Sequence, residues 1–515
     1  MTDPRRLLMI DLSGPTLTPD ERALLSGTPL GGVCLFSRNI RDRFQLGEYV
    51  LELRSLAGDD FIVAVDQEGG SVVRALDLPY PPSAMALGAA DDTDLTRDVA
   101  AATGRGLRSV GINVDFAPVA DVNHNPHNPV IGERAFGSDP AHVARHVAAF
   151  VEGVQREGVA ATAKHFPGHG DVSQDSHLTL PTLNVTAERL ERVELVPFRA
   201  AIDAGVAALM SFHGLLPALD PDRPATLSRA IMHDLVRDRL GFGGVMFSDA
   251  LNMRAIRDQY TMAEAATLAL QAGVDMPVHV GTLAETTATL AGLVRAEQEG
   301  RFDPAQLAAA GERLEHLTYT YPAHSPRPDT AWQESDDDLL GRAATRGTVL
   351  VGDLPTLPDG GHLTLVTLGE TSTGGAGDVG PKTIASEVVG SLAAALRARG
   401  YRVDIVNIRT ADIQHENDRA DHLAPFRHSD ATLLVSVARI RLDPSRTAFV
   451  HDLARVAPCF IHLALWNPYQ LIDLPKPALV TFGFRPASLR AAVTILCGDA
   501  SPGGRLPFEL ANTSL

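Results

Sequence analysis

Along the N-terminal part of the chain, short apolar, β-branched runs alternate with longer stretches whose apolar positions recur at helical spacing. Eight runs read as strands: Leu7–Asp11, Gly31–Phe36, Phe61–Asp66, Ile112–Phe116, Ala160–His165, Ala207–Phe212, Gly244–Asp249 and Gly273–Pro277. Near-continuous apolarity suits strands buried on both faces, as in a parallel sheet. Helical patterns lie between them, including Asp94–Val110, Pro140–Glu157 and Thr186–Ala204. Eight strand–helix repeats over this length predict a (β/α)8 TIM-type barrel, with an open doubly wound sheet as the alternative. Pro322, Pro326, Pro328 and the acidic run Asp336–Asp338 mark Thr318–Asp338 as a connecting segment with no packed element. A second α/β rhythm follows, with strands at His362–Leu368, Val403–Ile408, Thr432–Val437, Phe460–Leu465 and Ala478–Phe482. A helix is expected over Lys382–Arg399, closed by Gly400. This predicts a smaller three-layer α/β/α domain. The expected division is a catalytic barrel over 1–325, a linker over 326–338 and an accessory domain over 339–515.

Composition narrows the function. The 515 residues are 45% hydrophobic and 21% charged, which is ordinary globular usage. A net charge of −18 repels phosphate backbones, so nucleic acid is not an expected partner. Cys34, Cys459 and Cys497 are widely spaced within apolar runs and read as reduced core residues of a reducing compartment. The start of the chain lacks the apolar stretch and cleavage site of a signal peptide, and no segment reaches membrane-span length. A soluble, cytoplasmic protein acting on a small molecule is expected.

Barrel enzymes carry their chemistry where strands end and the following loops begin. Here Asp66, Lys164, His165 and Asp249 end predicted strands, and His213 follows one directly. A single such residue is well explained as a helix cap. Several converging on one face point to a site, because an unpaired buried charge is costly.

The loop from Lys164 to His177 is the richest in chemistry. Gly168 and Gly170 let it turn sharply, and Asp175 and His177 are spaced to share one side of extended backbone. A carboxylate there can orient the imidazole of a general acid/base. By spacing alone, His165, His169, Asp171, Asp175 and His177 also suit a metal, so a metal-dependent hydrolase stays open. The segments Asp66–Arg74 and Asp121–Gly137 hold the carboxylates, amides and arginines (Arg74 and Arg134 among them) that grip vicinal hydroxyls. Gly375–Gly380 matches a dinucleotide fingerprint, but it does not turn directly out of a strand.

Together, Asp66–Arg74, Asp121–Gly137, Lys164–His177, Met210–His213 with Pro224–Ser228, and Phe247–Met253 resemble glycoside hydrolase family three, in its β-N-acetylglucosaminidase branch. The resemblance implies a retaining exo-acting enzyme that needs no cofactor or metal. Asp249 matches the nucleophile, and His177, partnered by Asp175, matches the general acid/base. Asp66, Arg74, Arg134, Lys164 and His165 match the pocket for the terminal sugar, to which the strand-end reading adds His213. Ser71 and Val73 depart from the family pattern, where Arg and Gln are expected. The implied substrates are cell-wall muropeptide or chitin-type oligosaccharides. Phosphate in place of water would make the enzyme a phosphorylase, and this alternative stays open. In the second domain, Asn467–Tyr469 and Gly498–Pro507 also resemble the family.

Overall fold

The structure is a computed structural model that describes residues 2–176, 178–368, 381–414 and 416–510, with the side chains of 381–384 and 416–418 left out. His177 and the Gly375–Gly380 motif lie outside the described residues.

Eight parallel strands close into a barrel: Met9–Ile10, Gly32–Leu35, Ile62–Val65, Val114–Asp115, Ala160–Phe166, Ala208–Ser211, Val245–Ala250 and Met276–Val278. Each pairs with the next, and the first pairs with the last through Met9 and Val278. The apolar runs of the sequence supply a buried interior, and Val33, Val63, Val114, Ala161, Leu209 and Met246 are all fully enclosed. Phe116 meets Phe247 edge-on at 5.2 Å, an arrangement adding about 0.5–1.5 kcal/mol beyond the area it buries. The surrounding helices start where the sequence supplies caps. Asp92 accepts from Leu95 N to open Thr93–Ser109, and Asp139, followed by Pro140, opens Pro140–Arg156.

The second domain is a six-stranded sheet in the order Val349–Val351, Ala478–Val480, Phe460–Ala464, Ala431–Ser436, His362–Leu368 and Arg402–Ile408. All neighbours run parallel except Val349–Val351, which is antiparallel to Ala478–Val480. Alternation along the strands sends adjacent residues to opposite faces. Leu365 and Leu433 face the helices Pro381–Ala398 and Pro486–Leu496, whereas Val366 and Leu434 face Phe426, Phe449 and Leu453. The result is three layers.

Several boundaries differ from the sequence reading. The eighth strand begins at Met276, because Gly273, at φ +114°, ends the preceding helix Met262–Ala272. The helix expected over Thr186–Ala204 is two, Ala187–Arg192 and Leu195–Asp203. At the break Glu194 turns inward beneath Gly168, where Arg189 meets both it and Asp171. The acidic run is no loop: Asp336, Asp337 and Asp338 form the first turn of the helix Asp336–Gly347, where negative charge complements the helix dipole. Arg105 anchors that turn through Asp336 at 2.7 Å. The strand Val349–Val351 was not foreseen, being only three residues long. Cys34 is buried as expected, but Cys459 and Cys497 are half-buried, and all three are free thiols. Among the described residues no helix is long and apolar enough to cross a membrane.

Candidate active site

The C-terminal ends of the barrel strands surround a cavity of about 310 Å³, near the lower end of small-molecule pockets. Asp66, Glu68, Arg74, Arg134, Lys164, His165, His169, Ser176 and Asp249 line it, with Phe36, Phe116, Met210 and Met253 as apolar walls. Each polar group arrives on a strand end or on the loop that follows it, as barrel geometry requires.

Lys164 sits at the centre of the charge network. Its Nζ is 2.6 Å from Asp66 Oδ1 and 2.5 Å from Glu68 Oε1. Arg134 forks onto both Glu68 oxygens at 2.8 Å, and Arg74 reaches Asp66 Oδ2 at 3.3 Å. Burial alone would raise both carboxyls. The cations overcome this and leave Asp66 below, and Glu68 far below, the ordinary range. Lys164 shows the counterpart: burial opposes its charge, yet the two carboxylates hold its pKa above the usual value.

Histidines form the next layer. His165 Nδ1 lies 2.7 Å from Asp121 Oδ2, and the other oxygen of Asp121 accepts from His169 N at 2.7 Å. Asp121 is thus the orienting group for the His165 ring. His169 is buried and driven down to about 3 by desolvation, so it stays neutral, with Nε2 3.0 Å from Ser176 Oγ. Of the three rings that spacing had offered to a metal, His165 and His169 have protein partners.

Asp249 is the penultimate residue of the seventh strand, at the cavity wall, and its Oδ1 accepts from Ala250 N at 2.7 Å. Asp175 is buried beside the pocket within the charge field of Arg439, and its carbonyl accepts from Leu178 N and Thr179 N, both at 2.9 Å. His213 does not line the cavity. It is fully buried behind it, with Nδ1 2.7 Å from Thr226 Oγ1 and Nε2 3.1 Å from the Ala250 carbonyl.

The sequence reading passed over three groups. Glu68 was legible, since it lies two residues from Asp66 and projects to the same side. Asp121 opened a segment already singled out, but its bond to His165 spans two strands. The contribution of the second domain had no local signal. Trp466 Nε1 donates to Glu133 at 2.7 Å, Arg485 Nε to the Gly70 carbonyl at 3.1 Å, and Arg439 Nη2 to the Val130 carbonyl at 3.3 Å. Gly69 and Gly70, at φ +102° and +55°, fold the loop after Asp66 so tightly that a Cβ on Gly69 would lie 2.6 Å from the Pro82 carbonyl oxygen. The departure at Ser71 also has a structural account: its hydroxyl donates to Glu133 at 2.6 Å, beside the Trp466 bond.

A closed barrel with a buried carboxylate–lysine–arginine pocket at its C-terminal mouth defines a barrel enzyme for a small polar substrate. Residues 5–317 match the glycosyl hydrolase family 3 N-terminal domain, so the chain belongs to glycosyl hydrolase family 3 and is a glycoside hydrolase. The β-hexosaminidase of Chromobacterium violaceum is 39% identical over 324 residues, covering 62% of this chain and 88% of that protein. The β-hexosaminidase of Tolumonas auensis is 39% identical over 290 residues, 56% and 86% of the two chains. The solved family 3 β-N-acetylglucosaminidase of Paenibacillus sp. str. FPU-7 superposes with a TM-score of 0.88 at 32% identity, covering 99% of this chain and 98% of that one.

Proposed function

We propose that this enzyme is a retaining exo-β-N-acetylglucosaminidase that releases terminal N-acetylglucosamine from muropeptide or chitin-type oligosaccharides. The activities named for its β-hexosaminidase and β-N-acetylglucosaminidase relatives support the sugar. The observation that carries the mechanism is that Asp249 and Ser176, the residue just before His177, line one cavity with the Asp66–Lys164–Glu68–Arg134 network.

In this reading the network grips the hydroxyls of a single terminal sugar, and the small cavity disfavours an internal unit of a chain. An Asp249 oxygen attacks the anomeric carbon while the glycosidic C–O bond breaks. His177, oriented by Asp175, gives its proton to the departing oxygen. The neutral imidazole then takes a proton from water, whose oxygen displaces Asp249 and completes retention. Muropeptide fragments as substrate accord with a cytoplasmic enzyme.

The test is a 5-fluoro N-acetylglucosaminyl fluoride trap followed by peptide mass spectrometry, alongside a panel of aryl β-glycosides with and without phosphate. Label on Asp249, preference for the N-acetylglucosaminide and phosphate-independent turnover are expected. Label on another carboxylate overturns the nucleophile, and strict phosphate dependence converts the reading to a phosphorylase.

A further inference from the structure

Away from the glycosidase pocket, His142 and His146 stand four residues apart on one face of the helix Pro140–Arg156. The helix Ala84–Ala90 ends at Asp91 in left-handed conformation, φ 47° and ψ 43°, and its carboxylate meets those two rings. His142 Nδ1 lies 3.3 Å from Asp91 Oδ1, and His146 Nε2 lies 3.9 Å from it. One ligand atom from each of the three residues falls within 4.8 Å of the others. None of the three lines the cavity described above.

The state of His146 is the second, independent observation. The residue is fully buried, and its Nδ1 lies 2.9 Å from Thr96 Oγ1. Thr96 Oγ1 also lies 3.1 Å from the Asp92 carbonyl, which can only accept; a hydroxyl proton given there makes Thr96 the acceptor from His146 Nδ1–H, the tautomer that metal binding at Nε2 requires. Nε2 faces Asp91, buried and without a hydrogen-bond partner among the described residues. A histidine whose far nitrogen donates to a fixed acceptor, with its near nitrogen bare, has the form of a metal ligand. Phe136 stacks on the ring at 5.3 Å and 19°, holding its plane.

A positive charge already occupies the cluster. Arg145 Nη2 stands 3.1 Å from Asp91 Oδ1 and 3.3 Å from His142 Nδ1, where a cation would bind. The Arg145 side chain is 55% exposed, so rotation into solvent would vacate that position. Asp91 is exposed as well, so the site opens to the surface.

We propose that Asp91, His142 and His146 form a binding site for a borderline divalent ion of the zinc type, which displaces the Arg145 guanidinium. Two imidazoles and one carboxylate suit such an ion and leave a fourth position for water. The ion staples the end of one helix to the start of another. Through Phe136 it also braces the segment that carries Arg134.

The test uses the full chain, with zinc titrated by calorimetry and cobalt(II) followed by its visible absorption. One ion per chain is expected. Asp91→Asn and His142→Gln, both outside the buried core, should each weaken binding at least about tenfold. Arg145→Ala should tighten it severalfold by removing the competing cation. No uptake up to millimolar zinc overturns the proposal, as does affinity unchanged by both Asp91→Asn and His142→Gln. Weaker binding in Arg145→Ala overturns the displacement.

Discussion

Trp466 of the second domain donates its indole N–H to the barrel carboxylate Glu133 at 2.7 Å, on the oxygen that Ser71 also contacts. Burial raises the Glu133 carboxyl, and its charged form is favoured by these two donors, by its own backbone amide and by the charge of Arg439. Glu133 immediately precedes Arg134, and the second domain thereby steadies a pocket arginine. Trp466→Phe keeps the ring and deletes the donor. A loss of about 1–3 kcal/mol is expected, the cost of leaving a buried acceptor short of a partner. KM should rise through Arg134 with little change in kcat. Thermal unfolding and steady-state kinetics check this, and unchanged values in both would disconnect the domain from the site.

The Lys164 network makes a claim about acid stability. Asp66 and Glu68 have folded-state pKa values below their unfolded ones. Their contribution is therefore complete above the ordinary carboxylate range and is lost as pH falls through it and below. Lys164, shifted upward, contributes below its ordinary pKa and loses this only at strongly alkaline pH. Lys164→Met leaves two buried carboxylates sharing fewer cations. It should cost about 3–5 kcal/mol at neutral pH and should flatten the acid limb of the stability profile. Denaturant unfolding between pH 3 and 7 measures both, and an acid limb identical to the wild type would refute the assignment.

What the sequence made legible was whatever repeats locally. Apolar runs of strand length announced the barrel, and charges placed at their ends announced Asp66, Lys164, His165 and Asp249. Glu68 could have been read from its two-residue offset to Asp66. The partnership of Trp466 with Glu133 could not, because it joins residues more than three hundred positions apart and neither has a local pattern that requires the other. Boundaries failed where a side chain's tertiary partner overrode propensity, as with Asp336 recruited by Arg105 to open a helix. His213 shows a further limit. Following a strand end placed it near the pocket, but only the three-dimensional structure shows the ring turned behind the wall.

That placement separates two roles for His213. Its Nε2 bonds the Ala250 carbonyl, the residue after Asp249, and its Nδ1 is held by Thr226. We propose that from there it positions the Asp249 strand end without contacting the sugar. His213→Gln should lower kcat about tenfold or more while KM stays within about twofold, because misplacing a reacting group costs turnover and not ground-state binding. A raised KM with intact kcat would restore the direct-binding reading.

Asp115 supplies a pH test of the barrel interior. It ends the fourth strand fully buried, with Oδ1 accepting from Gln67 N at 3.0 Å and Oδ2 without a hydrogen-bond partner among the described residues. Burial pushes its carboxyl up to about 7. The fold thus favours the protonated form, so this contribution is complete below about pH 4 and drains away as pH rises through about 7. Asp115→Asn keeps the carbonyl acceptor and never ionises; its extra N–H donors add a cost that does not vary with pH. The variant should therefore gain on the wild type between pH 4 and pH 8, by up to about 4 kcal/mol for a shift of roughly three pK units. Paired urea unfolding curves at the two pH values measure the gain. A stability difference that stays constant across this range would show that Asp115 remains ionised in the folded barrel.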